Sequence, residues 1–352
     1  MPPHETVGNC IAEPVSGRVP QHYVHKTNAS EVYLRSWTGF GEDHFRIDAL
    51  WPDAHPFYRV ADTLDPLLLS ETIRQTFPLL CHAAYGVPLG DQLIWERFSY
   101  LILEPADPAD PADAPVRGRD VELHVRCYDI SYRGSRPTAL SMWMTVTRGG
   151  VPVARAETRF AVMAKRVYQR LRGAYADIPT AMSNAVPVPR PVPVRPARFH
   201  RASTDDVLLT APDADGAQWL RVATDHPIFF DHPVDHVPGM LLLEAAHQAA
   251  IGAGSAPNPA GPGVPGAEIL SLSCDFKRYV ELDSPCALFT EELPVDASAT
   301  SGNRRTAVKA VQNDLVAFTA ELTTTAPSAP TTPSLQQAHC GAAGASRGGA
   351  LS

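Results

Sequence analysis

Hydrophobic positions along this chain change period in a regular order, and the order occurs twice. In the first half, HFRIDALW (44–51) sets Phe45, Ile47, Ala49 and Trp51 on one side, the alternation of a half-buried strand. A helix is predicted from about Pro66, with Asp65 as N-cap and proline at the first helical position. Pro78 is expected to end or kink that helix, because it has no N–H to give and crowds the preceding turn. Strand-like runs follow at 92–103, 121–130, 139–148 and 153–163, and Gly149-Gly150 reads as a hairpin turn between the last two. In the second half QWLRVAT (218–224) is predicted as a strand and a helix runs from about Pro238 to the glycines at 252 and 254. Further strands are predicted at 268–280, 286–293, 306–313 and 315–322. The second helix is expected to bury Leu241, Leu242, Ala245, Gln248 and Ala249 as one stripe.

The helices carry the clearest internal repeat. HPFYRVADTLDPLLLSETIRQTF (55–77) and HPIFFDHPVDHVPGMLLLEAAHQAA (226–250) share the order His-Pro, aromatic, spacer, Leu-Leu-Leu, Glu, Gln. Aligning Glu71 with Glu244 pairs Arg74 with His247 and Gln75 with Gln248. One supersecondary unit is therefore expected twice, and a long helix lying on antiparallel strands makes the class α+β. The expected organisation is a flexible leader (1–20), a first repeat (21–175), a Pro-rich linker (176–200), a second repeat (201–323) and a disordered tail (324–352). The linker rests on NAVPVPRPVPVRPARF (184–199), whose proline density favours extended chain over helix. ADPADPADAP (106–115) and GAGSAPNPAGPGVPG (252–266) read as surface loops.

Composition narrows the function classes. With 44% hydrophobic residues in 352, the chain is able to bury a substantial core. A formal charge of −8 argues against a general nucleic-acid binder, and no apolar run approaches the roughly 20 residues needed to span a bilayer. Six scattered cysteines with no C-x-x-C pair favour a reducing, cytoplasmic setting, with Cys81 and Cys274 buried and inert.

The motif set resembles a known family. A His-Pro turn followed by a helix carrying LLLEAxxQ looks like the hotdog fold, and the two repeats, with VHKTNASEVYL (24–34) before them, resemble the A-factor biosynthesis (AfsA-type) hotdog proteins of actinomycetes. The similarity covers roughly residues 22–322. It implies a double hotdog and an acyltransferase of γ-butyrolactone signal synthesis, which moves a β-ketoacyl group from an acyl carrier protein to the hydroxyl of dihydroxyacetone phosphate. It also implies a departure: His247 stands where family members carry Arg.

Such a transfer needs a base, donors for the carbonyl oxygen and an apolar slot. Glu71 and Glu244 lie inside apolar helix segments, where desolvation is expected to raise their pKa toward base strength; the structural alternative is a carboxylate bonded to a turn or to Arg74. The acyl chain is expected between the two helices with both acids near its mouth. His232 with Glu244 is similar to the dyad of carrier-protein dehydratases, although the spacing to Pro238 is two residues shorter; otherwise His232 bonds the turn. Asp235 and His236 share that turn, and Asp235 is a candidate helix cap. Gly239 opens the helix, offering backbone N–H groups to a thioester carbonyl or simply serving the turn. Arg74 is a candidate for gripping the acceptor's phosphate, or else pairs with Glu71 one turn back.

The histidines at 226, 232 and 236 lack helical metal-site spacing, and no phosphate loop is present, so no metal or cofactor is expected. KRVYQRLR (165–172) gathers Lys165, Arg166, Arg170 and Arg172, either a docking patch for an acidic carrier protein or a solvated face. Two other readings stay open: a hotdog thioesterase or dehydratase, and a non-catalytic homologue that binds an acyl or butyrolactone ligand.

Overall fold

The computed structural model describes residues 19–41, 43–60, 64–103, 118–193, 195–253, 267–294 and 302–325. The leader and tail fall outside the described residues except for 19, 20, 324 and 325, as do the 106–115 loop and all but two residues of the 252–266 loop. Among the described residues, eleven strands are β1 (Leu34–Gly39), β2 (His44–Leu50), β3 (Gln92–Ile102), β4 (Asp120–Arg133), β5 (Arg136–Arg148), β6 (Val151–Met163), β7 (Gln218–Trp219), β8 (Ile269–Phe276), β9 (Ala287–Leu293), β10 (Arg304–Gln312) and β11 (Leu315–Thr324). The helices are α1 (Pro66–Ala83), α2 (Lys165–Arg172), α3 (Ile178–Ser183) and α4 (Gly239–Ala253).

All eleven strands form one sheet in the order β1-β2-β4-β5-β6-β3-β8-β11-β10-β9-β7. Read outward from the middle, β3-β6-β5-β4-β2 on one side matches β8-β11-β10-β9-β7 on the other. The halves join where β3 pairs antiparallel with β8, with Ser99 opposite Ser273 at the centre. That join makes the duplication a pseudo-twofold within one chain.

The long helices meet across this axis, α1 against α4. In α1 every residue but Arg74, His82 and Ala83 is buried, and α4 is buried continuously from Met240 to Ile251. The expected single stripe on α4 is thus too narrow: His247, Glu244 and Ala246 are buried as well. A helix apolar on every side is one enclosed on every side. Asp65 caps α1 as expected, accepting from the N–H groups of Leu67 (2.9 Å) and Leu68 (3.2 Å).

Three local expectations change. Pro78 does not end α1, which continues to Ala83. Its neighbours Phe77, Leu79 and Leu80 are buried, and their packing outweighs the roughly 3 kcal/mol that an interior proline costs. The 218–224 strand shrinks to two residues, because Arg221 turns its buried side chain onto the carbonyls of Pro189, Thr204 and Val207. The range 176–200 opens with α3 and closes with a 3-10 turn at Pro196–Phe199. Between them the chain is pinned to the second half by Val186 N–H on Leu282 O and Val192 N–H on Leu209 O. Cys81, Cys127, Cys274 and Cys286 are buried free thiols, pushed up by burial. No helix among the described residues is long and apolar enough to cross a membrane.

Candidate active site

The repeated Gln fixes each helix to the strand entry of its own half. Gln75 donates to Glu31 O (2.7 Å) and accepts from Tyr33 N–H (3.0 Å), while Gln248 donates to Asp206 O (2.7 Å) and accepts from Leu208 N–H (2.8 Å). The same amide also reaches the Glu one turn back, Gln75 to Glu71 and Gln248 to Glu244, at 2.8 Å each. His55 and His226 complete the correspondence, bonding Glu31 (3.1 Å) and Asp206 (3.2 Å). The repeat therefore extends upstream of the His-Pro turns. VHKTNASEVYL (24–34) matches FHRASTDDVLL (199–209), and both begin after a 3-10 turn with a left-handed histidine, His25 (φ 55°) and His200 (φ 58°). Lys26 and Arg201 follow at equivalent places.

Those two cations set the character of the glutamates. Arg74 forks onto Glu71 through Nε (2.8 Å) and Nη2 (2.7 Å), and Lys26 Nζ lies 3.1 Å from the same carboxylate. In the other half Arg201 forks onto Glu244 through Nε (2.9 Å) and Nη2 (2.7 Å). Burial opposes ionisation, but the opposing charges and hydrogen bonds win: Glu71 is held down at about 2 by Arg74, Lys26 and Gln75, and Glu244 is lowered by Arg201 and His247. Both glutamates are ionised ion-pair members, contrary to the expectation that desolvation raises them. The Arg74–Glu71 pair foreseen as the structural alternative is the one that forms.

The guanidinium groups differ in what remains. Arg201 gives Nη1 to Asp65 (3.0 Å) and to His200 O (3.2 Å), lies 4.3 Å from the Phe57 ring centroid, and its side chain is 4% exposed. Arg74 is 20% exposed, and its Nη1 has no hydrogen-bond partner among the described residues.

Arg74 opens onto a cavity of about 740 Å³ that also reaches Glu71, Lys26 and His25. The apolar walls come from both halves: Phe77 stacks on Phe160 (5.0 Å between centroids) and Trp95 of β3 stacks on Phe276 of β8 (4.9 Å). Glu244 and His247 do not line it. His247 is 3% exposed, wedged between Tyr100 Oη (2.9 Å) and Glu244 (3.6 Å). Only one of the two acids thus reaches the slot, and His232 shares it with Glu71 rather than with Glu244.

The turn before α4 closes the cavity from the second half. Asp231 accepts from the N–H groups of Thr27 (2.6 Å) and Asn28 (3.0 Å), which seats His232 against the first half's entry segment. His232 and His236 line the cavity; His226 faces inward. Asp235 is not a helix cap: it is buried and takes Tyr168 Oη (2.6 Å), His236 (2.6 Å) and Arg172 (3.4 Å). A Cβ on Gly239 would lie 3.1 Å from Trp95 and 3.2 Å from Phe276, so a side chain there would need those rings to give by a few tenths of an ångström. The N–H groups of Gly239 and Met240 make no backbone hydrogen bond among the described residues.

Arg172 leaves the proposed docking patch. Its side chain is 7% exposed, paired with Asp235 and Glu281 and 4.2 Å from the Tyr279 ring centroid. Lys165, Arg166 and Arg170 stay exposed on α2, and exposed Lys277 and Arg278 line the cavity itself. His25, Lys26, His82 and Arg201 were not singled out from the sequence; aligning residues 24–34 with 199–209 would have marked three of them.

Fold and site together define a double hotdog built on one chain, with an open cleft lined by both halves that reaches Glu71 but not Glu244. The family model for the A-factor biosynthesis hotdog domain matches twice, over residues 11–164 and 182–328, and the chain belongs to that family. A 2-oxo-3-(phosphooxy)propyl 3-oxoalkanoate synthase of Streptomyces virginiae is 39% identical over 86% of this chain and 96% of its own length. One of the same name from Streptomyces coelicolor is 38% identical over 76% of this chain and 80% of its own. Among solved structures, a 12:0-ACP thioesterase from Umbellularia californica is similar at TM-score 0.43 and 12% identity, over 81% of this chain and 94% of that one.

Proposed function

We propose that this chain is a cytoplasmic acyltransferase that moves a 3-oxoacyl group from the thioester of an acyl carrier protein to the free hydroxyl of dihydroxyacetone phosphate. The product is the 2-oxo-3-(phosphooxy)propyl 3-oxoalkanoate named for its relatives. One observation carries the reading: a single cavity joins an aromatic slot to a guanidinium with an unused donor edge.

Each part of the reaction has a place there. The acyl chain lies along Trp95, Phe276, Phe160 and Met240. Arg74 Nη1, with Lys26 beside it, receives phosphate oxygens, for which a planar fork is well shaped. The first-turn N–H groups of Gly239 and Met240 stabilise the oxyanion at the positive end of α4. The carrier approaches past Lys277, Arg278 and the exposed cations of α2. Glu71 holds the two cations in place, its carboxylate oxygens already taken by Arg74, Lys26 and Gln75.

The test is product analysis by mass spectrometry after incubation with a carrier-bound 3-oxoacyl chain, with and without dihydroxyacetone phosphate. The phosphorylated ester, formed only with acceptor, is expected. Free acid at the same rate in both reactions makes the protein a thioesterase and overturns the reading.

A further inference from the structure

The hydroxyl proton needs an acceptor, and the carboxylates and imidazoles lining the cavity are Glu71, Asp231, Glu281, His25, His232 and His236. Asp231 accepts from Thr27 and Asn28, Glu281 is paired with Arg172, and His236 bonds Asp235. Glu71 is occupied by Arg74, Lys26 and Gln75. His232 is 40% exposed, and its nearest partner, Asp231, lies 3.5 Å away. His25 is held by a two-link chain. Its Nε2 lies 2.8 Å from His82 Nε2, and His82 Nδ1 lies 2.7 Å from Val87 O. A carbonyl only accepts, so the hydrogen-bond network assigns the proton of His82 to Nδ1 and makes its Nε2 the acceptor. His25 must then donate from Nε2, which leaves a bare lone pair on Nδ1. That nitrogen has no hydrogen-bond partner among the described residues, and His25 lines the cavity.

Building on the acyl-transfer reading, we propose that His25 is the general base, that His82 is its positioning residue, and that the acceptor's phosphate activates it. Nδ1 takes the hydroxyl proton as the oxygen attacks the thioester carbonyl. A C–O bond forms, the C–S bond breaks, and the proton passes from Nδ1 to the departing sulfur, giving ester and free thiol.

The other half supplies the contrast. His200 has the same left-handed backbone, yet its Nε2 bonds Ala267 O directly (3.2 Å), and it does not line the cavity. The charged and titratable groups around His25 are Glu71, Arg74 and His82 of α1, Lys26 beside it, and Asp231 and His232 before α4. Burial, Arg74, His82 and His232 push His25 down to about 3, so it is unprotonated at neutral pH but weakly basic. A phosphate dianion on Arg74 offsets that guanidinium and raises the basicity when acceptor is bound.

The experiment measures ester formation by the full chain and its His25→Gly variant, since glycine suits the left-handed backbone. Loss of a positioned base is expected to lower kcat by about 100-fold or more. Added imidazole is expected to restore part of the loss, and His200→Gly to keep the wild-type rate. The acid limb of kcat is expected at higher pH than that of kcat/KM for the phosphorylated acceptor. Should His25→Gly fail to fold, His25→Asn, another residue that tolerates this backbone, decides the kcat arm. Wild-type kcat in a His25 variant, or a loss in His25→Gly that imidazole leaves untouched, overturns the assignment. A wild-type protein that makes no ester sinks the acyl-transfer reading itself, which is a distinct result.

Discussion

Glu71 and Glu244 occupy equivalent positions on equivalent helices, each clasped by a forked arginine and bonded to a Gln one turn on, yet their surroundings diverge. Around Glu244 all three nitrogens of Arg201 are engaged, by Glu244, Asp65 and His200 O, and Tyr100 bonds His247. Around Glu71 the equivalent cation is Lys26, and Arg74 keeps a free edge over the cavity. Duplication lets one copy of a polar cluster fasten the halves together while the other remains available to a ligand. Asp65 belongs to the first half and Arg201 to the second, so the closed cluster is itself an inter-half clamp.

Substitutions at matched positions separate the two roles. Arg201→Ala leaves Glu244 and Asp65 buried without their cation, and is expected to cost about 3–5 kcal/mol in urea unfolding. Arg74→Ala is expected to cost clearly less in the same titration, because Arg74 is partly exposed and Lys26 still faces Glu71; equal losses would erase the distinction. The second expectation concerns acid. A carboxylate whose folded pKa lies below its unfolded one stabilises the fold above the unfolded value and loses that contribution as pH falls. For Glu71, moved from 4.5 to about 2, on the order of 3 kcal/mol is expected to disappear across that window. Urea midpoints measured from pH 5 to pH 2 are expected to show this limb in the wild type and a shallower one in Glu71→Gln.

Smaller effects sharpen the assignment of the open half. Arg74→Gln removes a charged donor from the phosphate, so KM for dihydroxyacetone phosphate is expected to rise about 10- to 100-fold. KM for the acyl thioester should barely move in the same steady-state assays. His247→Arg, which puts in the residue implied by the family resemblance, inserts a larger side chain between Tyr100 and Glu244. It is expected to lower stability by about 1–3 kcal/mol, read from the urea midpoint, with kcat unchanged. A gain in kcat would show that the closed half takes part in chemistry.

Much of the frame was legible from periodicity and caps. Asp65–Pro66 located α1, Gly149-Gly150 located a hairpin, and the matched Glu and Gln positions revealed the duplication before any contact was known. β1 escaped notice because a bulge between Leu34 and Ser36 breaks its alternation. Pro78 and β7 went astray because local rules yielded to packing and to Arg221's carbonyl contacts. The site was less legible. Burial alone predicted raised carboxyl pKa values; the partners that reverse the sign include Lys26 and Arg201, each more than forty residues from its glutamate in the chain. Which half stays open depends on Asp65 reaching Arg201 across the pseudo-axis, a contact between repeats that neither repeat encodes by itself.

The most direct test of a single working site is a calorimetric titration of the full chain with dihydroxyacetone phosphate. One molecule bound per chain, with binding lost in Arg74→Gln and kept in His247→Gln, is the expected result. Two molecules per chain, or undiminished binding after Arg74→Gln, would contradict it.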